Sequence, residues 1–147
     1  MEDVGAVLLD AGEELFLRYG AMFSLRNRGG EAAVTALGRA LVQDQSSALL
    51  RHEVAYVLGQ MQHPAAIEPL AESLRRGAEH SMVRHEAAEA LGAIEGGSED
   101  MAKCERLLRE FTADSDSCVR ESCEVALDAQ DYWAHQRWKD MKEQQAA

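Results

Sequence analysis

Arg51-His52-Glu53-Val54-Ala55-Tyr56-Val57-Leu58-Gly59-Gln60-Met61 returns 33 residues later as Arg84-His85-Glu86-Ala87-Ala88-Glu89-Ala90-Leu91-Gly92-Ala93-Ile94. Working outward, Arg18-Tyr19-Gly20-Ala21-Met22-Phe23-Ser24-Leu25 stands 33 residues before the first copy. Val119-Arg120-Glu121-Ser122 aligns with Val83-Arg84-His85-Glu86 at an offset of 36, with the His-Glu pair lost. The intervening segments repeat too. Ala32-Ala33-Val34, Leu37 and Leu41 map onto Ala65-Ala66-Ile67, Leu70 and Leu74. Apolar residues at these spacings form one helix face. Self-similarity at a period of this length marks an array of stacked supersecondary units.

Each unit therefore holds two helices. The first is expected near 31–42, 64–76 and 99–112, and the second near 15–27, 48–61, 82–94 and 118–130. Gly29-Gly30, His63-Pro64 and Gly96-Gly97 punctuate the boundaries, and Pro64 suits a helix start, where its missing N–H costs little. A helical pair of this size cannot bury its own apolar face, so successive copies bury it against one another. Alanines at the contact positions allow close approach. Strand-like alternation is absent and aromatics are only 5%. The expectation is an all-α solenoid of stacked helical hairpins over 1–130, about three and a half repeats. Residues 131–147 form a capping helix or a tail, with Tyr132, Trp133 and Trp138 covering the last repeat in the first case.

The net charge is −11 and no basic stripe is present, which points away from nucleic acid. The acidic surface keeps the chain soluble and would attract a basic partner. Cys104, Cys118 and Cys123 form no CxxC pair. They read as free thiols at apolar positions in a reducing compartment. Met1-Glu2-Asp3 lacks a positively charged leader, and the apolar stretches are too short to span a bilayer. A cytoplasmic location without membrane attachment is expected.

Stacking brings equivalent residues of successive units about 8–10 Å apart. His52 and His85, and likewise Glu53 and Glu86, can then lean together near the starts of two parallel helices. Two imidazoles and two carboxylates suit Fe, Mn or Zn, and the lack of thiolates argues against a cysteine-rich structural zinc site. Two histidines with one carboxylate also match the facial arrangement of oxygen-activating iron. The competing reading is structural, since Glu in a first helical turn merely favours the helix dipole. Yet Tyr19 and Glu121 fill the matching positions of the flanking units, so the motif is confined to the central two. Arg51 and Arg84 read as structural ion-pair residues. His63 reads as a cap or surface residue, while His80 lies in a loop and His135 in the tail. Met82 reads as a core or pocket-wall side chain.

The strings around Arg51-His52-Glu53 and Arg84-His85-Glu86, with Val119-Arg120-Glu121-Ser122-Cys123-Glu124-Val125-Ala126-Leu127-Asp128, resemble the deoxyhypusine hydroxylase family. The resemblance runs from about Glu14 to Gln130. It implies a HEAT-like solenoid with a non-haem di-iron centre, Fe(2+) with dioxygen bound between the two irons. The implied activity is hydroxylation of the deoxyhypusine side chain on eukaryotic translation factor 5A, a monooxygenase step in hypusine biosynthesis. His52, Glu53, His85 and Glu86 match family metal ligands, Glu53 and Glu86 being the catalytic carboxylates. Gly59 and Glu89 match family positions linked with substrate or site integrity, and Met82, as a pocket wall, joins them as a substrate-binding candidate. The family enzyme has two similar halves and four His-Glu motifs, and this chain matches the C-terminal half, with two. Activity then requires a second half, through self-association or pairing with an N-terminal half. The alternatives are a catalytically silent interaction module that retains the ligand residues and a mononuclear metal site with hydrolytic chemistry.

Overall fold

The computed structural model describes residues 3–146. Met1, Glu2 and Ala147, on which the expectations for the N-terminal start and the C-terminal segment partly rest, lie outside that range. Among the described residues the secondary structure is helical without strands: α1 Val4–Leu9, α2 Leu15–Arg28, α3 Gly30–Gln43, α4 Ala48–Met61, α5 Ile67–Arg75, α6 Ser81–Ala93, α7 Ser98–Phe111 and α8 Ser117–Ala146. The all-α solenoid expected from the repeats is what is found. Helices α2, α4, α6 and α8 form one layer, and α3, α5 and α7 the other. Two differences stand out. Residues 64–66 form a separate 3-10 turn before α5, because Pro64 fixes the entry and His63 Nδ1 accepts the Ala65 N–H at 3.0 Å. And α8 does not stop at 130; no glycine or proline follows Gln130, so the helix runs on to Ala146.

Local capping sets the starts of the site helices. Ser47 Oγ accepts the Leu50 N–H at the head of α4. At the head of α6, His80 Nδ1 accepts the Met82 N–H, so His80 is a cap rather than a plain loop residue. The Asp116 carboxylate accepts the Cys118 N–H at the head of α8. Gly29 and Gly30, at φ 68° and 84°, make the reversal between α2 and α3 that a side chain would strain.

The core is an unbroken set of leucines, valines and alanines between the two layers, including Leu37, Leu41, Leu58, Leu70, Leu74, Leu91 and Leu108. Small residues set the spacing within the α4–α6–α8 layer. A Cβ on Gly59 would lie 3.1 Å from Ala90 Cβ, and one on Gly92 would lie 2.8 Å from both Ala126 Cβ and Ala126 O.

A second ladder stitches the units together. Arg18 Nη2 pairs with Asp44 Oδ1 at 2.8 Å and Arg18 Nε donates to Leu8 O. Arg51 pairs with Glu79 at 2.8 Å, and Arg84 pairs with Asp114 at 2.7 Å while donating to Leu74 O. The arginines before the histidines are thus structural, and their partners are acids in the loops, not the motif glutamates. Burial works to raise the Asp44 carboxyl, but hydrogen bonds from Arg18, Ser46 and Ser47 and the Arg18 charge outweigh it and hold it low. Glu79 is likewise held low by Arg51 and the His80 N–H against the effect of burial.

Cys104 and Cys123 are buried, and burial pushes each thiol up to about 11. Cys118 departs from the expected apolar burial and is exposed at the head of α8. Tyr132, Trp133 and Trp138 are more than half exposed on the run of α8 past Gln130. Trp133 nevertheless lines a cleft with Gln62, Met101 and Gln130. No helix among the described residues is long and apolar enough to cross a membrane.

Candidate metal centre

The motif residues converge where the first turns of α4, α6 and α8 lie side by side. Each unit's second motif residue leans onto the third motif residue of the next unit. His52 Nε2 lies 3.2 Å from Glu86 Oε1. His85 Nδ1 lies 2.6 Å from Ser122 Oγ, on α8. Tyr19, one unit earlier, faces Glu53, whose charge adds to burial in pushing the Tyr19 hydroxyl up. A right-angled packing of side chains on their own helix does not produce this; adjacent helical residues diverge by about 100°, and the step to the next helix closes the gap.

Glu86 is the centre of the arrangement. Its Oε1 is 3.2 Å from His52 Nε2 and 3.5 Å from His85 Nε2. Donors cis to one another on one ion, each about 2.1 Å from it, stand roughly 3.0–3.4 Å apart, so each histidine taken singly with Glu86 is near the spacing of two donors on one cation. His85, Glu86 and Glu89 each offer one ligand atom within 4.8 Å of the others. Glu53 sits differently, with its Oε1 3.6 Å from His52 Nδ1, on the other edge of the ring from Glu86. His52 Nδ1 is buried and has no hydrogen-bond partner, an atom whose needs an ordered Glu53 would meet.

The sequence-predicted residues therefore divide. His85, Glu86 and Glu89 come together, and His52 reaches Glu86. Glu53 adjoins them behind His52. Gly59 lines a cleft of about 220 Å³ with Tyr56, Gln60, Glu86, Glu89, Ala90 and Ala93, so the cleft opens directly onto two carboxylates of the cluster. Met82 is half exposed at the start of α6; it is neither core nor part of that cleft. Ser122 and Tyr56 escaped the sequence reading. The alignment of Ser122 with Glu86 was the available signal, but it registered as the loss of a motif.

The face that carries the cluster is framed by apolar side chains. Phe16, Leu49 and Met82 recur at 33-residue steps along one border, and Phe23, Tyr56 and Val125 occupy equivalent positions along the other. All are exposed, Phe16 at 82% and Val125 at 58%, and Glu89 stands at the α6 position of the second row.

Comparisons with known proteins bear on the repeat architecture and on the family. The profile for HEAT repeats matches residues 6–78 and 47–128, and the chain belongs to that repeat family. Within it, the chain is similar to the deoxyhypusine hydroxylases. It is 53% identical over 133 residues to that of Rattus norvegicus, spanning 88% of this chain and 42% of the relative. It is 52% identical over 138 residues to that of Mus musculus, spanning 92% and 43%. The solved structure of human deoxyhypusine hydroxylase in complex with glycerol superposes with a TM-score of 0.80 at 51% identity, covering 88% of this chain and 42% of the human one. The chain thus spans about two fifths of the length of the relatives it matches, over their C-terminal part.

Proposed function

We propose that this chain supplies one metal-holding half of a non-haem iron monooxygenase that hydroxylates the deoxyhypusine side chain of the translation factor 5A precursor, in the cytoplasm. The observation that carries the reading is the convergence of His85, Glu86 and Glu89 within 4.8 Å, with His52 Nε2 reaching Glu86 Oε1 at 3.2 Å from the preceding unit. Similarity at 50% identity or more to five deoxyhypusine hydroxylases from animals and a slime mould supports the substrate class. A module kept only for protein contacts has no use for that convergence.

In this reading His52, His85 and Glu86 hold the iron, and Glu89 completes the set or faces substrate. Iron at the site supplies activation of dioxygen for insertion into a C–H bond. The protein's part is to bind and orient. Glu53 steadies His52 through Nδ1. The cleft between Gly59 and Ala90 leads a slender cationic side chain toward Glu89 and Glu86, whose charges favour it. Gly59 serves there by its lack of a side chain, and half-exposed Met82 meets the protein substrate beyond the cleft.

Two His-Glu pairs are half of the four that the family resemblance implies. The framed apolar face is the surface through which a second half completes the centre, either an N-terminal half or a second copy in isologous contact. Anaerobic Fe(II) titration with mass measurement in solution tests this. Uptake of iron that fails in His52→Ala and His85→Ala, with hydroxylation only when a second half is present, is the expected result. An unmodified chain that takes up no metal in any assembly state would refute it.

A further inference from the structure

We infer that Ser122 is a positioning residue that fixes the ring of His85, leaving Nε2 as the nitrogen that meets the metal; the inference rests on the metal reading above. Ser122 is buried on α8. Its Oγ lies 2.6 Å from the Cys118 carbonyl oxygen and 2.6 Å from His85 Nδ1. A carbonyl oxygen can only accept, so the single hydroxyl proton is spent on Cys118. Toward His85 the hydroxyl therefore presents a lone pair, and Nδ1 must carry hydrogen.

The consequence falls on the opposite edge of the ring. With Nδ1 protonated, Nε2 is the nitrogen free to offer its lone pair, and it is the one that points at Glu86 Oε1, 3.5 Å away. The other candidate partner of Nδ1 is Glu89 Oε1 at 3.9 Å, beyond hydrogen-bonding reach. Ser122 is thus the contact that sets the ring. A hydroxyl achieves this without charge. A glutamate at the same ladder position, as Glu86 is to His52, would add a fourth carboxylate beside Glu53, Glu86 and Glu89. His52 makes the contrast, since its Nδ1 is unpartnered. The two rings of the centre are held unequally, one locked by α8 and one waiting on Glu53.

The test compares the unmodified chain with Ser122→Ala and Ser122→Thr by nitrogen-15 NMR and by titration with Zn(II) and Fe(II). In the unmodified metal-free chain, a slowly exchanging Nδ1–H signal assigned to His85 by its absence in His85→Ala is expected, and Zn(II) loading should leave it in place. Ser122→Ala should lose that protected signal and bind either metal about 10- to 100-fold more weakly, the usual range for a lost partner of a ligating histidine. Ser122→Thr, which keeps the hydroxyl, should recover most of both. Melting of the metal-free variants should match the unmodified chain, which separates positioning from folding. Equal affinity with an unchanged Nδ1–H signal in Ser122→Ala would overturn the role of Ser122. The Nδ1–H signal without metal uptake by the unmodified chain would overturn the metal reading instead.

Discussion

Replacing Gly92 with alanine sets a methyl group 2.8 Å from both Ala126 Cβ and Ala126 O. Packed carbon atoms rest about 3.5–4.0 Å apart, so α6 and α8 must part by roughly 1 Å. Neither obstacle can swing aside, because one is fixed to its backbone and the other is backbone. Overpacking costs about 1–3 kcal/mol, and rigid obstacles place this case at roughly 2–3 kcal/mol. For a domain of this size each kcal/mol lowers Tm by about 2–4 °C, which gives a fall of about 4–12 °C. Gly59→Ala meets Ala90 Cβ and Cα at 3.1 and 3.2 Å and should cost nearer 1 kcal/mol, at the low end of the same range. Ala126→Gly should restore only part of the loss in Gly92→Ala, since the carbonyl remains. The functional effect follows from what these helices carry. His85 and Glu86 ride on α6 and Ser122 on α8, so separation stretches the His85–Ser122 contact and weakens metal uptake as well. Thermal unfolding followed by circular dichroism, paired with Zn(II) titration, measures both. If Gly92→Ala melts with the unmodified chain, or if Gly59→Ala is the costlier change, the glycine-set spacing is not what holds the layer together.

Other outcomes follow from the charge ladder, the thiols and the long helix. Asp44 and Glu79 are held below their ordinary values in the folded chain, so their contribution is present above about pH 4 and is lost as pH falls through the folded values. Urea midpoints measured down an acid series should drop there, and Asp44→Asn should flatten the drop. Ellman's reagent should label one thiol, Cys118, in the native chain and all three in denaturant; labelling of three in the native chain would contradict the burial of Cys104 and Cys123. Both tryptophans sit half exposed past Gln130, so native fluorescence should already be solvent-like. Ending the chain at Gln130 should lower helicity while leaving Tm nearly unchanged.

Much of this was legible in the sequence. The 33-residue offset located α2, α4 and α6 within a residue of their ends, because apolar period and caps agree there. The approach of His52 and of His85 to Glu86 followed from the same offset. The arginine partners did not. The arginines Arg18, Arg51 and Arg84 repeat every 33 residues, but Asp44, Glu79 and Asp114 repeat every 35, so an alignment at one offset slides past them. Ser122 was hidden for a related reason. Its contact runs from one unit to the next, and a pattern read within units registers only that a glutamate is missing. The extent of α8 was obscured because polar residues 131–146 carry no packing signal, and helix there depends on the lack of a breaker.

The diagonal step from one unit to its successor has a consequence for how such a protein can change. A row in which every member borrows from its neighbour has two unlike ends, here a phenol at the first and an alcohol at the last. Inserting another thirty-three-residue copy in the middle would add one imidazole and one carboxylate while leaving both ends untouched. Adding a copy beyond the last unit would leave that alcohol inside the row, and the histidine it faces would have no carboxylate of the next unit to lean on. The inventory of donors can therefore grow from within but not by simple extension.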